Sequence, residues 1–140
     1  MLVREVMTTD IVTVSIEAML ADAVERLLAN EIGSVVVLAD GNPTGIVTET
    51  DALDAAHETG KPLAGIGLRR FCEGPVATTA PDRTVQDVAR RMADEGVKKF
   101  PVMADLDLVG MVTLTDIVYQ LSDIRSEAQA LADRHYDWSA

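Results

Sequence analysis

The chain repeats itself, and that constrains its fold more than any other feature. Gly45-Ile46-Val47-Thr48-Glu49-Thr50-Asp51 aligns with Gly110-Met111-Val112-Thr113-Leu114-Thr115-Asp116, identical at five of seven positions. The same displacement, about 65 residues, pairs Arg4 with Arg69, Thr13 with Thr78, Asp22 with Asp87, Arg26 with Arg91, Val37 with Val102 and Asp40 with Asp105, without a gap. Self-similarity at a fixed period means two copies of one supersecondary unit. Each copy, at about 60 residues, is marginal for burying its own apolar faces. The two are therefore expected to pack on each other with approximate two-fold symmetry.

Each copy reads β-α-β-β-α, an α/β (α+β) arrangement. A short apolar strand opens it, Ile11-Val12-Thr13-Val14 or Val76-Ala77-Thr78. A helix follows, with Leu20, Val24, Leu27 and Leu28 on one face, matched by Val85, Val88, Ala89 and Met92. Next come a strand, Ser34–Leu38 or Phe100–Met103, a turn at Asp40-Gly41-Asn42-Pro43 or Asp105-Leu106-Asp107, and a second strand. A last helix starts at Asp51, running to about His57, and at Asp116. The chain divides into repeat 1 (residues 1–57), a Gly- and Pro-bearing linker (58–67), repeat 2 (68–122) and a C-terminal helical arm (123–140).

Charge and cysteine usage narrow the function classes. The formal charge is -11 at pH 7, which disfavours nucleic acid as a partner, since phosphate neutralisation needs a basic stripe. Aspartate outnumbers glutamate, arginine outnumbers lysine, and the lysines are Lys61, Lys98 and Lys99. That pattern is expected of a protein adapted to a high-salt cytoplasm, where screening suppresses self-repulsion. One cysteine, Cys72, excludes an internal disulfide and fits a reducing cytosol. No metal site is expected, because only His57 and His135 add imidazoles. No signal peptide or membrane span is read in the sequence, so a cytoplasmic location is expected.

With the repeats in register, the sequence resembles the CBS-domain family. The resemblance rests on Val6-Met7 before the first strand, on Gly-apolar-apolar-Thr-x-x-Asp at 45–51 and 110–116, and on Phe100-Pro101-Val102. It covers about residues 2–122. It implies a paired regulatory module, often a homodimer, that is non-catalytic and holds AMP, ADP, ATP or S-adenosylmethionine in clefts between the repeats. Cofactors are not expected beyond that ligand. Three departures stand out. Ser34-Val35-Val36-Val37 lacks the proline of the second copy, Cys72 stands where repeat 1 has Met7, and Met19 stands where repeat 2 has Thr84.

An adenosine ligand sets the chemistry. Its ribose diol offers two donors, which a carboxylate accepts through charge-assisted bonds. Asp51 and Asp116 are placed for this at helix starts. Its phosphate calls for helix-start N–H groups and a hydroxyl, and Thr48 and Thr113 are there. Its base calls for an apolar slot, expected from Val12, Thr13, Ser34 and Val35 on one side and Val76, Ala77, Thr78, Phe100 and Pro101 on the other. Thr-x-x-Asp is also a plain helix-capping pattern, and the two roles can coexist. Lys98 and Lys99, absent from the matching Gly33-Ser34, are expected to meet phosphates. The resemblance implies crosswise clefts: Asp51 with Thr78, Lys99 and Pro101, and Asp116 with Thr13 and Val35. The phosphate-bearing ligand is expected in the Asp51 cleft.

Other signals are weaker. Cys72 reads as a small apolar residue, His57 as a helix C-terminal residue, and Arg69-Arg70 as a solvated pair with a minor prospect of phosphate contact. Ile117, Leu121, Ile124, Ala128, Leu131, His135 and Trp138 form a helical seam suited to a dimer contact or to folding back. No paired acid, base and nucleophile is read, which argues against an enzyme; the resemblance implies a nucleotide-sensing module, expected to act on an effector protein of a separate chain. The alternative is a ligand-free dimerisation or interaction module.

Overall fold

The computed structural model describes residues 1–120 and 129–131. Repeat 1 is built from β1 (Thr13–Ser15), α2 (Leu20–Asn30), β2 (Ser34–Ala39), β3 (Asn42–Thr48) and α3 (Glu49–Thr59), preceded by the one-turn helix α1 (Val3–Val6). Repeat 2 contains α4 (Val85–Glu95), β4 (Lys99–Ala104), β5 (Asp107–Thr113) and α5 (Leu114–Tyr119). Two short 3-10 turns, Leu63–Gly65 and Leu68–Phe71, lie between α3 and α4.

Strand β2 pairs parallel with β1 and antiparallel with β3, giving the order β1-β2-β3; β4 and β5 form a two-stranded sheet. The hairpins close as the turn residues require. Asp40 (φ 51) and Gly41 (φ 80) both take the positive φ of a two-residue turn that follows strand twist.

The strand expected at Val76-Ala77-Thr78 is not formed. A single parallel bridge, Thr79 to Val102, stands in its place. The local reason is Pro101: the matching Val36 N–H donates to Val12 O (3.0 Å) in repeat 1, and Pro101 has no N–H to donate to Ala77 O.

The periodic residues pack as two cores. Leu20, Ala23 and Leu27 of α2 meet Val35, Val37 and Val47 of the first sheet; Val88 and Met92 of α4 meet Phe100, Val102 and Val112 of the second. Full burial of such side chains contributes about 1.5–3 kcal/mol each.

Each core also takes residues from outside its own repeat. Val3 and Val6 of α1 belong to the repeat 2 core, whereas Ile66 and Leu68, from the linker and the start of repeat 2, belong to the repeat 1 core. The backbone bonds that hold these segments obey the same displacement. Leu20 N–H donates to Ile66 O (2.7 Å) and Val85 N–H to Met1 O (2.9 Å); Leu68 N–H donates to Ala18 O (3.3 Å) and Val3 N–H to Arg83 O (2.8 Å). The pseudo-two-fold is thus built from exchanged segments. The stretch 58–67 is more than a linker, since α3 runs into it and Ile66 is 4% exposed.

Matched glycines allow the exchanged segments to approach. A Cβ on Gly45 would lie 2.7 Å from Phe71 O and 2.9 Å from Cys72 Sγ, and one on Gly110 would lie 2.9 Å from both Met7 Sδ and Thr8 O. Cys72 does take the place of Met7, as a packing residue under a glycine.

Of the C-terminal seam, Ile117 is buried and Leu131 is 41% exposed. Leu121, Ile124, Ala128, His135 and Trp138 lie outside the described residues.

Candidate ligand-binding site between the repeats

Both strand-to-helix junctions form a reciprocal cap. Thr48 N–H donates to Asp51 Oδ2 (2.9 Å) while Asp51 N–H donates to Thr48 Oγ1 (3.2 Å). Thr113 and Asp116 repeat this at 3.0 and 3.1 Å. The capping reading of the motif therefore holds, but it uses one oxygen of each carboxylate. Oδ1 of Asp51 accepts no hydrogen bond among the described residues, and Asp51 is only partly buried.

Asp51 faces an open cleft of about 450 Å³ lined by Thr44, Gly45, Ile46, Asp51, Arg70, Phe71, Glu73, Gly74, Pro75 and Val76. One wall comes from β3 and α3, the other from the segment entering repeat 2. A second groove of about 450 Å³ adjoins it through Thr44, Pro75 and Val76 and reaches Thr78 and Met103.

The opposite cleft is smaller, about 180 Å³, lined by Thr8, Asp10, Ile11, Val12, Ile32, Gly33, Ser34, Val36, Met111 and Thr113. It also joins the two repeats. Its size has a local cause. Thr8 N–H donates to Met111 O (2.8 Å) and Met111 N–H to Thr8 O (2.9 Å), drawing the N-terminal segment onto β5. The matching residues, Glu73 and Ile46, make no such bridge among the described residues. There Val76 N–H turns to Pro43 O instead (3.3 Å), and the cleft stays open.

The sequence-predicted residues are divided between the clefts and the cores. Asp51 and Val76 line the large cleft; Val12, Ser34 and Thr113 line the small one; Thr78 lines the adjoining groove. Thr48 and Asp116 hold the junctions. Thr13 lies in β1, and its carbonyl accepts from Arg26 Nη1, as that of Thr78 accepts from Arg91 Nη1 (2.5 and 2.8 Å). Ala77 is exposed.

The base slot needs correction. Val35 and Phe100 are fully buried in the two cores, so their side chains cannot form a base slot. Successive side chains alternate between sheet faces, and it is Val36 that lines the cleft. Pro101 is likewise buried, with its carbonyl accepting from Thr79 N–H (3.0 Å). Lys98 and Lys99 are not among the residues lining the Asp51 cleft. They begin β4 at the place that Gly33 and Ser34 hold beside the other cleft, with Lys99 in register with Thr113 as Ser34 is with Thr48. The cation that lines the Asp51 cleft is Arg70.

Sequence reasoning gave Arg70 only a minor prospect and missed Glu73 and Ile46. The displacement could have found the last two, because residues 73–75 stand where 8–10 stand beside the other cleft. Among the described residues, no group of His, Cys, Asp and Glu is arranged to hold a metal ion, and no helix is long and apolar enough to cross a membrane.

Two repeats with exchanged segments and matched Thr-x-x-Asp junctions beside clefts that both repeats line define a tandem pair of like domains. The family model for the CBS domain matches residues 3–58 and 68–123, and the chain belongs to that family. An uncharacterised protein of Methanocaldococcus jannaschii is 29% identical over 95% of this chain and 35% of its own length. The chain spans 35–60% of the first curated relatives it matches. Among solved structures, a hexameric CBS-CP12 protein of bloom-forming cyanobacteria superposes with TM-score 0.77 at 24% identity, over 99% of this chain and 90% of that one. A CBS-domain pair in complex with 5′-methylthioadenosine and S-adenosyl-L-methionine superposes at 0.71, 24% identity, over 84% and 96%.

Proposed function

We propose that this chain is a non-catalytic regulatory module that binds an adenosine-containing ligand, an adenine nucleotide or S-adenosylmethionine, in the Asp51 cleft and passes its occupancy to a partner protein. One observation carries the proposal: Asp51 gives one carboxylate oxygen to the cap and turns toward an inter-repeat cleft of about 450 Å³. That volume lies within the range of small-molecule sites, about 300–1,000 Å³, and the 180 Å³ of the opposite cleft lies below it. The CBS pair that holds 5′-methylthioadenosine and S-adenosyl-L-methionine supports the ligand class. Binding stabilises one arrangement of the exchanged segments by its differential affinity for that arrangement.

Homodimerisation belongs to the same proposal. An almost wholly apolar groove of about 380 Å³ runs between α2 and α3, flanked by Leu28 and Leu53, which are 71% and 72% exposed. A second copy is the occupant that a symmetric closed assembly would supply. The single free Cys72 supports a reducing, cytoplasmic setting.

A thermal-shift screen with adenosine, AMP, ADP, ATP and S-adenosylmethionine tests the reading, because a ligand of the folded state must raise its melting temperature. No shift with any of them leaves the second reading, a ligand-free interaction module. That reading draws on the caps, which account for Thr48 and Asp51 without a ligand.

A further inference from the structure

We propose that Arg70 is the anion-contacting residue of the Asp51 cleft, that Glu58 competes with the ligand for it, and that the cleft consequently selects a nucleoside carrying a single anionic group. This rests on the reading of the cleft as a nucleoside site.

Arg70 lines the cleft from the segment entering repeat 2, opposite the Asp51 wall. Its Nη2 lies 3.2 Å from Glu58 Oε2, and its Cζ lies 5.9 Å from the centroid of Phe71, which lines the same cleft. A guanidinium has five N–H donors, and this ion pair engages one nitrogen, so a planar pair of donors remains for a carboxylate or phosphate. The pair with Glu58 is a surface contact, with side chains 37% and 72% exposed, and such pairs are weak enough for a ligand to displace.

The remaining charges in the lining set the selectivity. Against Arg70 stand two carboxylates, Asp51 and Glu73, and a chain of formal charge -11. One anionic group can be matched by Arg70; the further charges of a triphosphate would face Asp51 and Glu73 unpaired. The suitable chemistry is a nucleoside with one phosphate, or with an amino-acid tail whose carboxylate meets Arg70.

Glu58 gives the contact a regulatory consequence. It lies in the last turn of α3, the helix whose first turn carries Asp51. A ligand that holds Asp51 and takes Arg70 engages one end of α3 and releases the other.

Isothermal titration of the full chain with adenosine, AMP, S-adenosylmethionine and ATP, at one fixed salt concentration, tests this on the wild type, Arg70→Ala and Glu58→Gln. Adenosine lacks the anionic group; AMP and S-adenosylmethionine separate the phosphate from the carboxylate source. Arg70→Ala is expected to weaken AMP, S-adenosylmethionine or both by about tenfold or more, the worth of a charge-assisted bond, and to leave adenosine within about twofold. Glu58→Gln is expected to tighten the same ligand by up to about fivefold, the scale of an exposed ion pair, again without effect on adenosine. An equal loss for adenosine and its anionic relatives overturns the role of Arg70, as does no loss for any. ATP binding more than tenfold tighter than AMP overturns the single-anion selectivity. Failure of the wild type to bind adenosine overturns the nucleoside reading itself, a distinct result.

Discussion

Gly45 lies against Cys72 so closely that a Cβ on the glycine would sit 2.9 Å from Cys72 Sγ and 2.7 Å from the carbonyl oxygen of Phe71. The thiol could rotate, but the backbone carbonyl cannot move without displacing the segment that walls the Asp51 cleft. Gly45→Ala is therefore expected to destabilise the fold by about 1–3 kcal/mol, as overpacking does. Urea unfolding monitored by circular dichroism measures it; a change under about 0.5 kcal/mol, the scale of neutral surface changes, would show that the segment yields freely.

Leu68 precedes every α-helix and strand of repeat 2, yet it is 0% exposed in the core of repeat 1. Leu68→Ala should cost about 2–5 kcal/mol, as for other buried leucines. Hydrogen exchange should show the loss first in α2 and β2. Protection lost mainly from α4 and β4 would contradict the exchanged-segment architecture.

Thr79 is 6% exposed, and its hydroxyl has no hydrogen-bond partner among the described residues. The matching residue in repeat 1 is Val14. Replacing an unsatisfied buried hydroxyl by an apolar group of the same shape removes a desolvation cost of about 1–3 kcal/mol. Thr79→Val is expected to raise the melting temperature. A lower melting temperature would mean that the hydroxyl is paired in solution.

The acidic surface predicts salt dependence. Screening of a formal charge of -11 should raise the unfolding midpoint steadily from low to molar KCl. A folded fraction independent of KCl would remove the argument for high-salt adaptation.

The repeat, its strand and helix order and the two Thr-x-x-Asp junctions were legible in the sequence, because they rest on periodicity and capping chemistry local to a few residues. The segment exchange was not. Nothing in the local pattern of Ile66 or Leu68 says which core receives them, since that is decided by packing across the chain. Val35 and Phe100 were assigned to the wrong face for a related reason. Where a strand such as Ser34–Ala39 is apolar on both faces, alternation carries no sign of which side faces the cleft. The asymmetry of the clefts was not legible either, because it rests on the Thr8–Met111 bridge, a pairing between segments far apart in the chain.

On the proposed function, one cleft, marked by Asp51, binds an adenosine moiety. Calorimetric titration of adenosine or AMP into the wild type, Asp51→Asn and Asp116→Asn tests it most directly, because asparagine keeps an acceptor for each cap and removes the carboxylate. The expected result is one site per chain, weakened about tenfold or more by Asp51→Asn and unaffected by Asp116→Asn. Two equivalent sites, or binding indifferent to Asp51→Asn, would contradict the account.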